Sequence, residues 1–142
     1  MKESRFFIKN SEDMLLLGRD LSQSCLVGSH LIFLSGDLGA GKTTLVRGFL
    51  SGLGYHATVK SPTYTLVESY FTDQRVIHHF DLYRLEDSEE LEEMGIRDYF
   101  TDNTICLFEW PEKAQNILPK PTMFCTIQIV DNGRNVNILS QV

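Results

Sequence analysis

The chain has 142 residues, of which 42% are hydrophobic and 23% charged, the profile of one soluble globular domain spanning residues 1–142. Lys and Arg number 13 against 19 Asp and Glu, a net charge of −6 with the bases scattered, which argues against a protein that grips nucleic acid by itself. No stretch approaches the ~20 apolar residues that span a bilayer, and the charged start at Met1 to Arg5 has no signal-peptide core behind it, so the expected place is the cytoplasm, away from membranes.

In chain order, residues 5–9 (Arg-Phe-Phe-Ile-Lys) read as a first strand. Ser11 is the expected N-cap of a helix over residues 11–26, with Met14, Leu17, Leu21 and Cys25 at helical spacing as core and Gly28 ending it. Residues 30–35 form a short apolar run that suits a buried parallel strand. Directly behind it comes Gly36-Asp37-Leu38-Gly39-Ala40-Gly41-Lys42-Thr43, which has the form G-x-x-x-x-G-K-[ST] of a phosphate-binding loop. The pattern has a physical reason. Glycines let backbone N–H groups turn inward and approach phosphates without a Cβ in the way. Lys42 supplies an ammonium near the terminal phosphates, the Thr43 hydroxyl a ligand for Mg²⁺, and the next helix, starting at Thr44, its positive N-terminus. Leu45, Phe49 and Leu50 share one face of that helix, and Gly52 and Gly54 stop it.

Ser61-Pro62-Thr63-Tyr64 follows, where a loop that senses the γ-phosphate would lie. On spacing alone, Thr63 reads equally as a hydroxyl offered to Mg²⁺, phosphate or water and as an ordinary turn threonine. Residues 66–70 and 76–80 read as a hairpin across Thr72-Asp73-Gln74. His78 and His79 are neighbours on a strand and point to opposite faces, so they cannot chelate one ion together, whereas His79 and Asp81 share a face. Asp81, at a strand end, fits a carboxylate associated with Mg²⁺, with a helix cap or a salt bridge as the alternative. Residues 87–94 read as an acidic helix with Asp87 and Glu90 as a capping box, either a solvated face or a docking surface for a basic partner. Residues 104–108 form another apolar strand, ending in Glu109-Trp110-Pro111, the hydrophobic-strand-then-acid pattern of a second phosphate-site motif. Glu109 would bind Mg²⁺, directly or through water, or orient an attacking water. Trp110, the single tryptophan, packs in the core or on a ligand. Residues 123–130 and 135–139 pair across Asp131-Asn132-Gly133-Arg134, with Asn-Gly as the tight-turn signal. The three cysteines, Cys25, Cys106 and Cys125, lack C-x-x-C spacing and read as reduced, buried thiols. The fold these elements point to is α/β: a P-loop NTPase-like three-layer arrangement with a mixed central sheet and a C-terminal antiparallel hairpin.

Taken together, the 36–44 loop, Ser61-Pro62-Thr63-Tyr64-Thr65-Leu66, His79-Phe80-Asp81-Leu82-Tyr83-Arg84-Leu85, Met94-Gly95 and Glu109-Trp110-Pro111-Glu112 closely resemble the TsaE (formerly YjeE) family of bacterial P-loop ATPases. The resemblance implies ATP and Mg²⁺ as cofactors. It also implies a role in the threonylcarbamoyl modification of adenosine 37 in tRNAs that read codons beginning with A. TsaB and TsaD would be the partners, a TsaC-type enzyme would supply threonylcarbamoyl-adenylate, and tRNA would be reached only indirectly. ATP hydrolysis would reset the TsaB–TsaD pair. By position, the resemblance gives Lys42 and Thr43 their phosphate and metal roles, Glu109 a metal-ligand role, Asp81 a part in hydrolysis, Thr63 the switch role and Trp110 a tie to activity. It also brings the nucleotide against Asp37, Leu38, Gly39, Ala40, Gly41 and Thr44, near Glu12, and near Gly133. Two other classes remain open on the sequence: a small-molecule P-loop kinase, against which no arginine-rich lid stands out, and a nucleotide-dependent binding module that does not hydrolyse. No guanine-specifying Asn/Thr-Lys-x-Asp motif follows the last acid.

Overall fold

The computed structural model describes residues 1–60, 62, 65–73 and 75–141. The elements run β1 (Lys2–Ile8), α1 (Ser11–Ser22), β2 (His30–Ser35), α2 (Lys42–Gly52), β3 (Val67–Phe71), β4 (Val76–Asp81), α3 (Glu89–Glu93), β5 (Thr104–Glu109), β6 (Met123–Val130) and β7 (Gly133–Ser140), with short 3-10 turns between several of them. The seven strands form one sheet in the order β1-β7-β6-β2-β5-β4-β3. β2 lies parallel to both β5 and β6, and β4 is parallel to β5. The hairpins β3–β4 and β6–β7, and the β1–β7 pair, are antiparallel. The sheet is therefore mixed, and its parallel centre is covered on both faces, as burial of parallel strands requires.

Alternation along the strands separates two cores. Ile32 and Leu34 of β2, Ile105 and Leu107 of β5 and Ile77 of β4 join Met14 and Leu17 of α1 and Leu45, Phe49 and Leu50 of α2. Leu31 and Phe33, Cys106 and Phe108, and Phe80 face the other layer with Leu91 of α3 and Ile96. Phe80 stacks on Phe108 with ring centroids 4.3 Å apart, an arrangement worth ~0.5–1.5 kcal/mol beyond its buried area. His78 and His79 fall on opposite faces as the strand period demands: His78 meets the Tyr99 ring of the second layer, and His79 faces the first.

Helix α1 starts one residue earlier than Ser11 as cap would give. Asn10 is the cap, extended at φ −153°, and its side chain accepts from the Asp13 N–H. The α-helix also stops at Ser22 rather than near residue 26. The Ser22 and Ser24 hydroxyls donate to the carbonyls of Arg19 and Leu21 at 2.6 and 2.9 Å, the local competition by which serines loosen helix ends, and the chain continues as a 3-10 turn through Cys25. The acidic helix is shorter than residues 87–94 and starts after Ser88, and only half of the expected capping box forms: Asp87 N donates to Glu90 Oε1 at 3.4 Å, whereas the Asp87 side chain accepts from Glu89 N, at 3.0 Å, and not from Glu90 N. In the last hairpin the two turn residues are Asp131 and Asn132, with Asn132 at φ 68° and Val130 paired to Gly133. Gly133 is thus the first residue of a strand, and its missing side chain has another cause: a Cβ there would lie 2.4 Å from the Ile8 carbonyl of β1.

Candidate functional site

Three parallel strands end side by side. Leu34 of β2 is in register with Glu109 of β5, and Glu109 with Asp81 of β4. The crevice beyond the carboxyl ends of such strands is the usual ligand site of an open α/β sheet. Here it is a cavity of about 450 Å³ lined by Leu38, Gly39, Gly41, Lys42, Thr43 and Thr44 on one side and by Asp81, Tyr83, Arg84, Glu109 and Trp110 on the other, with Pro62 and Leu66 at its rim.

The 36–43 loop joins β2 to α2. Gly41 sits at the head of α2 with φ 112° and offers no side-chain cap. That conformation favours glycine, and it leaves the first N–H groups of the helix to whatever enters the cavity. Ala40 N is tied to the Asp37 carbonyl at 3.0 Å. Lys42 is only 5% exposed. Its ammonium donates to the Gly36 carbonyl and lies 3.8 Å from the centroid of the Trp110 ring. Burial pulls its pKa down, and the negative charges of Glu109, Asp81, Glu112 and Asp37 oppose that pull.

Glu109 is 3% exposed, and its Oε2 accepts from two sides: from the Thr43 hydroxyl at 3.3 Å and from His79 Nε2 at 2.6 Å. Asp81 holds the start of the next loop through Oδ1, which accepts from Tyr83 N at 3.1 Å, while the residue itself lines the cavity. No helix starts there, so this contact makes Asp81 the opening of a turn and not a helix cap. Trp110 takes the left-handed conformation, φ 59° and ψ 48°, immediately before Pro111. A bulky residue seldom adopts it, and a following proline disfavours the right-handed helical alternative. Trp110 lies against both Lys42 and the Tyr83 ring, whose centroid is 5.1 Å away.

The structure brings Lys42, Thr43, Glu109 and Asp81 to one cavity, with Leu38, Gly39, Gly41 and Thr44 around them. Gly133 lines a smaller adjoining cavity of about 200 Å³ with Ala40, Gly41, Thr44 and Asn10. Glu12 lines neither; it borders a separate groove with Arg19, Arg47 and His56. Thr63 lies outside the described residues. Two participants escaped the sequence reading. Arg134, on β7, donates from Nε to the Ala40 carbonyl at 3.1 Å and from Nη2 to the Gly39 carbonyl at 3.2 Å, so a strand 94 residues further along holds the phosphate-binding loop. His79 was noted for sharing a face with Asp81, but its contact with Glu109 depends on the β4–β5 register. No local pattern announces either contact.

Comparison with known proteins agrees with this geometry. A family model described as threonylcarbamoyl adenosine biosynthesis protein TsaE matches residues 8–137. A protein of Haemophilus influenzae, named tRNA threonylcarbamoyladenosine biosynthesis protein TsaE, is 49% identical over 140 residues, covering 95% of this chain and 88% of the relative. One of the same name from Bacillus subtilis is 34% identical over 128 residues, covering 90% and 79%. The crystal structure of YdiB from Bacillus subtilis superposes with a TM-score of 0.76 at 27% identity, covering 96% of this chain and 84% of that one.

Proposed function

Since the chain belongs to the TsaE family of threonylcarbamoyl adenosine biosynthesis proteins, we propose that it is a Mg²⁺-dependent ATPase of the cytoplasm that serves the threonylcarbamoyladenosine modification of tRNA through a TsaB–TsaD pair. The observation that carries the reading is the convergence of a buried ammonium, a hydroxyl and two carboxylates on one cavity at the head of α2.

The donor set fits the implied cation. Thr43 and Glu109 present hard oxygens 3.3 Å apart, and among the described residues no group of three or more His, Cys, Asp or Glu could hold a metal alone. Mg²⁺ is commonly held in this way, by one or two protein oxygens completed by substrate phosphates and water. When bound, the cation neutralises charge on the transferring phosphoryl group. The protein does the rest. The 36–43 loop and the first turn of α2 direct N–H groups at the phosphates. Lys42 exchanges the Gly36 carbonyl for phosphate oxygens. Asp81 or Glu109 orients a water whose oxygen attacks the γ-phosphorus, and the bond to the β–γ bridging oxygen breaks to give ADP and phosphate. Trp110 walls the cavity beside Lys42, and water excluded there strengthens each charge interaction. Thr63 reports the γ-phosphate, and Gly133, which lines the adjoining cavity, lies along the nucleotide's further course, whereas Glu12, at a separate groove, does not.

The test is phosphate release from ATP by the purified chain, alone and with the TsaB–TsaD pair. Slow turnover that rises with the pair is expected, because a charge-stabilising group supplied in trans is worth ~10³–10⁵ in rate in other P-loop proteins. Tight ATP binding with no turnover in either setting would mean a nucleotide-dependent binding module and would leave Asp81 and Glu109 without their roles.

A further inference from the structure

His79 is fully buried, on the face of β4 that packs among aliphatic side chains such as Ile77, Ile105 and Leu107. Its Nε2 lies 2.6 Å from Glu109 Oε2. Its Nδ1 is buried and has no hydrogen-bond partner among the described residues. The carboxylate accepts, so Nε2 carries the hydrogen of this contact. An imidazole satisfied on one side only is an expensive occupant of an apolar layer, since a buried polar atom left unpaired gives up its hydration with nothing in exchange. A leucine or valine would fill that position on β4 without the penalty. What the imidazole adds is one short hydrogen bond to the carboxylate that faces the phosphate-binding loop.

We infer that His79 is a positioning residue, which fixes the Glu109 carboxylate for Mg²⁺ through its Nε2–H. The inference rests on the ATPase reading above and deepens it. Glu109 Oε2 has two protein donors, Thr43 and His79. The Thr43 hydroxyl can meet a cation through a lone pair and still donate its hydrogen to Glu109, but its contact is the longer at 3.3 Å, and the 2.6 Å contact from His79 is the closer hold on the carboxylate. Carboxylates that ligate metals are commonly anchored by such an outer partner, and losing that partner costs about 10–100-fold in metal affinity or activity. His79 need not touch the nucleotide to do this.

The experiment is calorimetric titration of ADP into the full chain with and without Mg²⁺, for wild type, His79→Leu, His79→Gln and His79→Asn, each checked by thermal melting. The amide nitrogen of glutamine reaches about where Nε2 lies, and that of asparagine reaches only about to Nδ1. The expected result is that Mg²⁺ tightens ADP binding to wild type, that His79→Leu loses about 10–100-fold of this gain with Mg²⁺-free binding unchanged, and that His79→Gln restores it where His79→Asn does not. Should His79→Leu fail to fold, the Gln and Asn pair decides the matter alone. Equal Mg²⁺ gains in all folded variants, or equal losses in Gln and Asn, overturn the positioning role and leave the ATPase reading intact. Wild type whose ADP affinity ignores Mg²⁺ overturns both.

Discussion

Lys42 carries a conflict between stability and function. Its ammonium is buried against an indole and a carbonyl, and burial is the largest influence on it, depressing its pKa from 10.5 despite the nearby carboxylates. A lysine whose folded pKa is lowered penalises the fold at every pH below that value. Between it and 10.5 the unfolded chain binds more protons, so stability rises with pH across that window. Lys42→Met keeps much of the stem that packs on Trp110 and removes the charge. The expected outcome in the absence of nucleotide is a melting temperature above wild type at pH 7, with the gap closing as the pH approaches 10. For a chain of this size ~1 kcal/mol corresponds to roughly 2–4 °C. The same variant should bind ATP at least ~10-fold more weakly, because hydrogen bonds from a charged group contribute ~1.5–3 kcal/mol. A melting temperature equal to wild type at both pH values would show that the carboxylates fully offset the burial. Unchanged ATP affinity would remove Lys42 from the phosphate site.

At the scale of elements, the phosphate-binding loop is held from two directions. From below, α1 and α2 approach so closely that a Cβ at Gly48 would lie 2.1 Å from the Leu15 carbonyl, and one at Gly18 would lie 2.2 Å from the Leu45 carbonyl. Both obstacles are backbone, so neither can step aside. Gly48→Ala is therefore expected to cost ~1–3 kcal/mol as an overpacked site, and the displaced α2 should carry its N-terminal loop with it, weakening ATP binding too. Circular-dichroism melts and a binding titration read the two effects; a fully stable Gly48→Ala would mean the helices can separate at little cost. From the side, Arg134 of β7 holds the carbonyls of Gly39 and Ala40. Arg134→Ala should lower ATP affinity by ~10-fold, on the order of one lost charge-assisted hydrogen bond, which equilibrium titration would show. The same elements explain what could be read from the chain. The 36–43 loop, the apolar strands before it and before Glu109, and the hairpins are local patterns, and local patterns survive without a partner in view. Arg134 and His79 act through neighbours that the sheet order supplies. The order β1-β7-β6-β2 brings the last hairpin next to the loop strand, and nothing near residue 134 encodes that. The need for glycine at 133 was hidden for a related reason. The turn signal was sound, but the requirement for glycine comes from β1 pairing alongside, a strand 125 or more residues earlier in the chain.

At the scale of the molecule, the three cysteines offer a reporter of the fold as a whole. Cys25 and Cys125 are fully buried and Cys106 is 2% exposed, and none is in a disulfide. Cys106 lies on β5 and Cys125 on β6, the two strands that flank β2, so reaching them means opening the centre of the sheet. Burial pushes both thiols up to about 12 from 9.0. In the unfolded chain they ionise from about 9, so between 9 and 12 the unfolded state has given up protons that the folded state keeps. Stability therefore falls as the pH rises through that window, and it is unaffected by these groups below it. At pH 7.5 a thiol reagent should label neither cysteine except through opening of the sheet. Nucleotide that binds the folded site alone then slows labelling by the factor 1 + [L]/Kd, about 100-fold at a hundred times Kd, equivalent to ~2.7 kcal/mol. ATP with Mg²⁺ should give that protection in wild type and lose most of it in Lys42→Met, with the labelling rate followed by mass spectrometry. Labelling that ignores ATP at saturating concentration would mean that the cavity at the head of α2 is not energetically joined to the sheet beneath it, and the carboxylates at the ends of β4 and β5 would then be poor candidates for a nucleotide site.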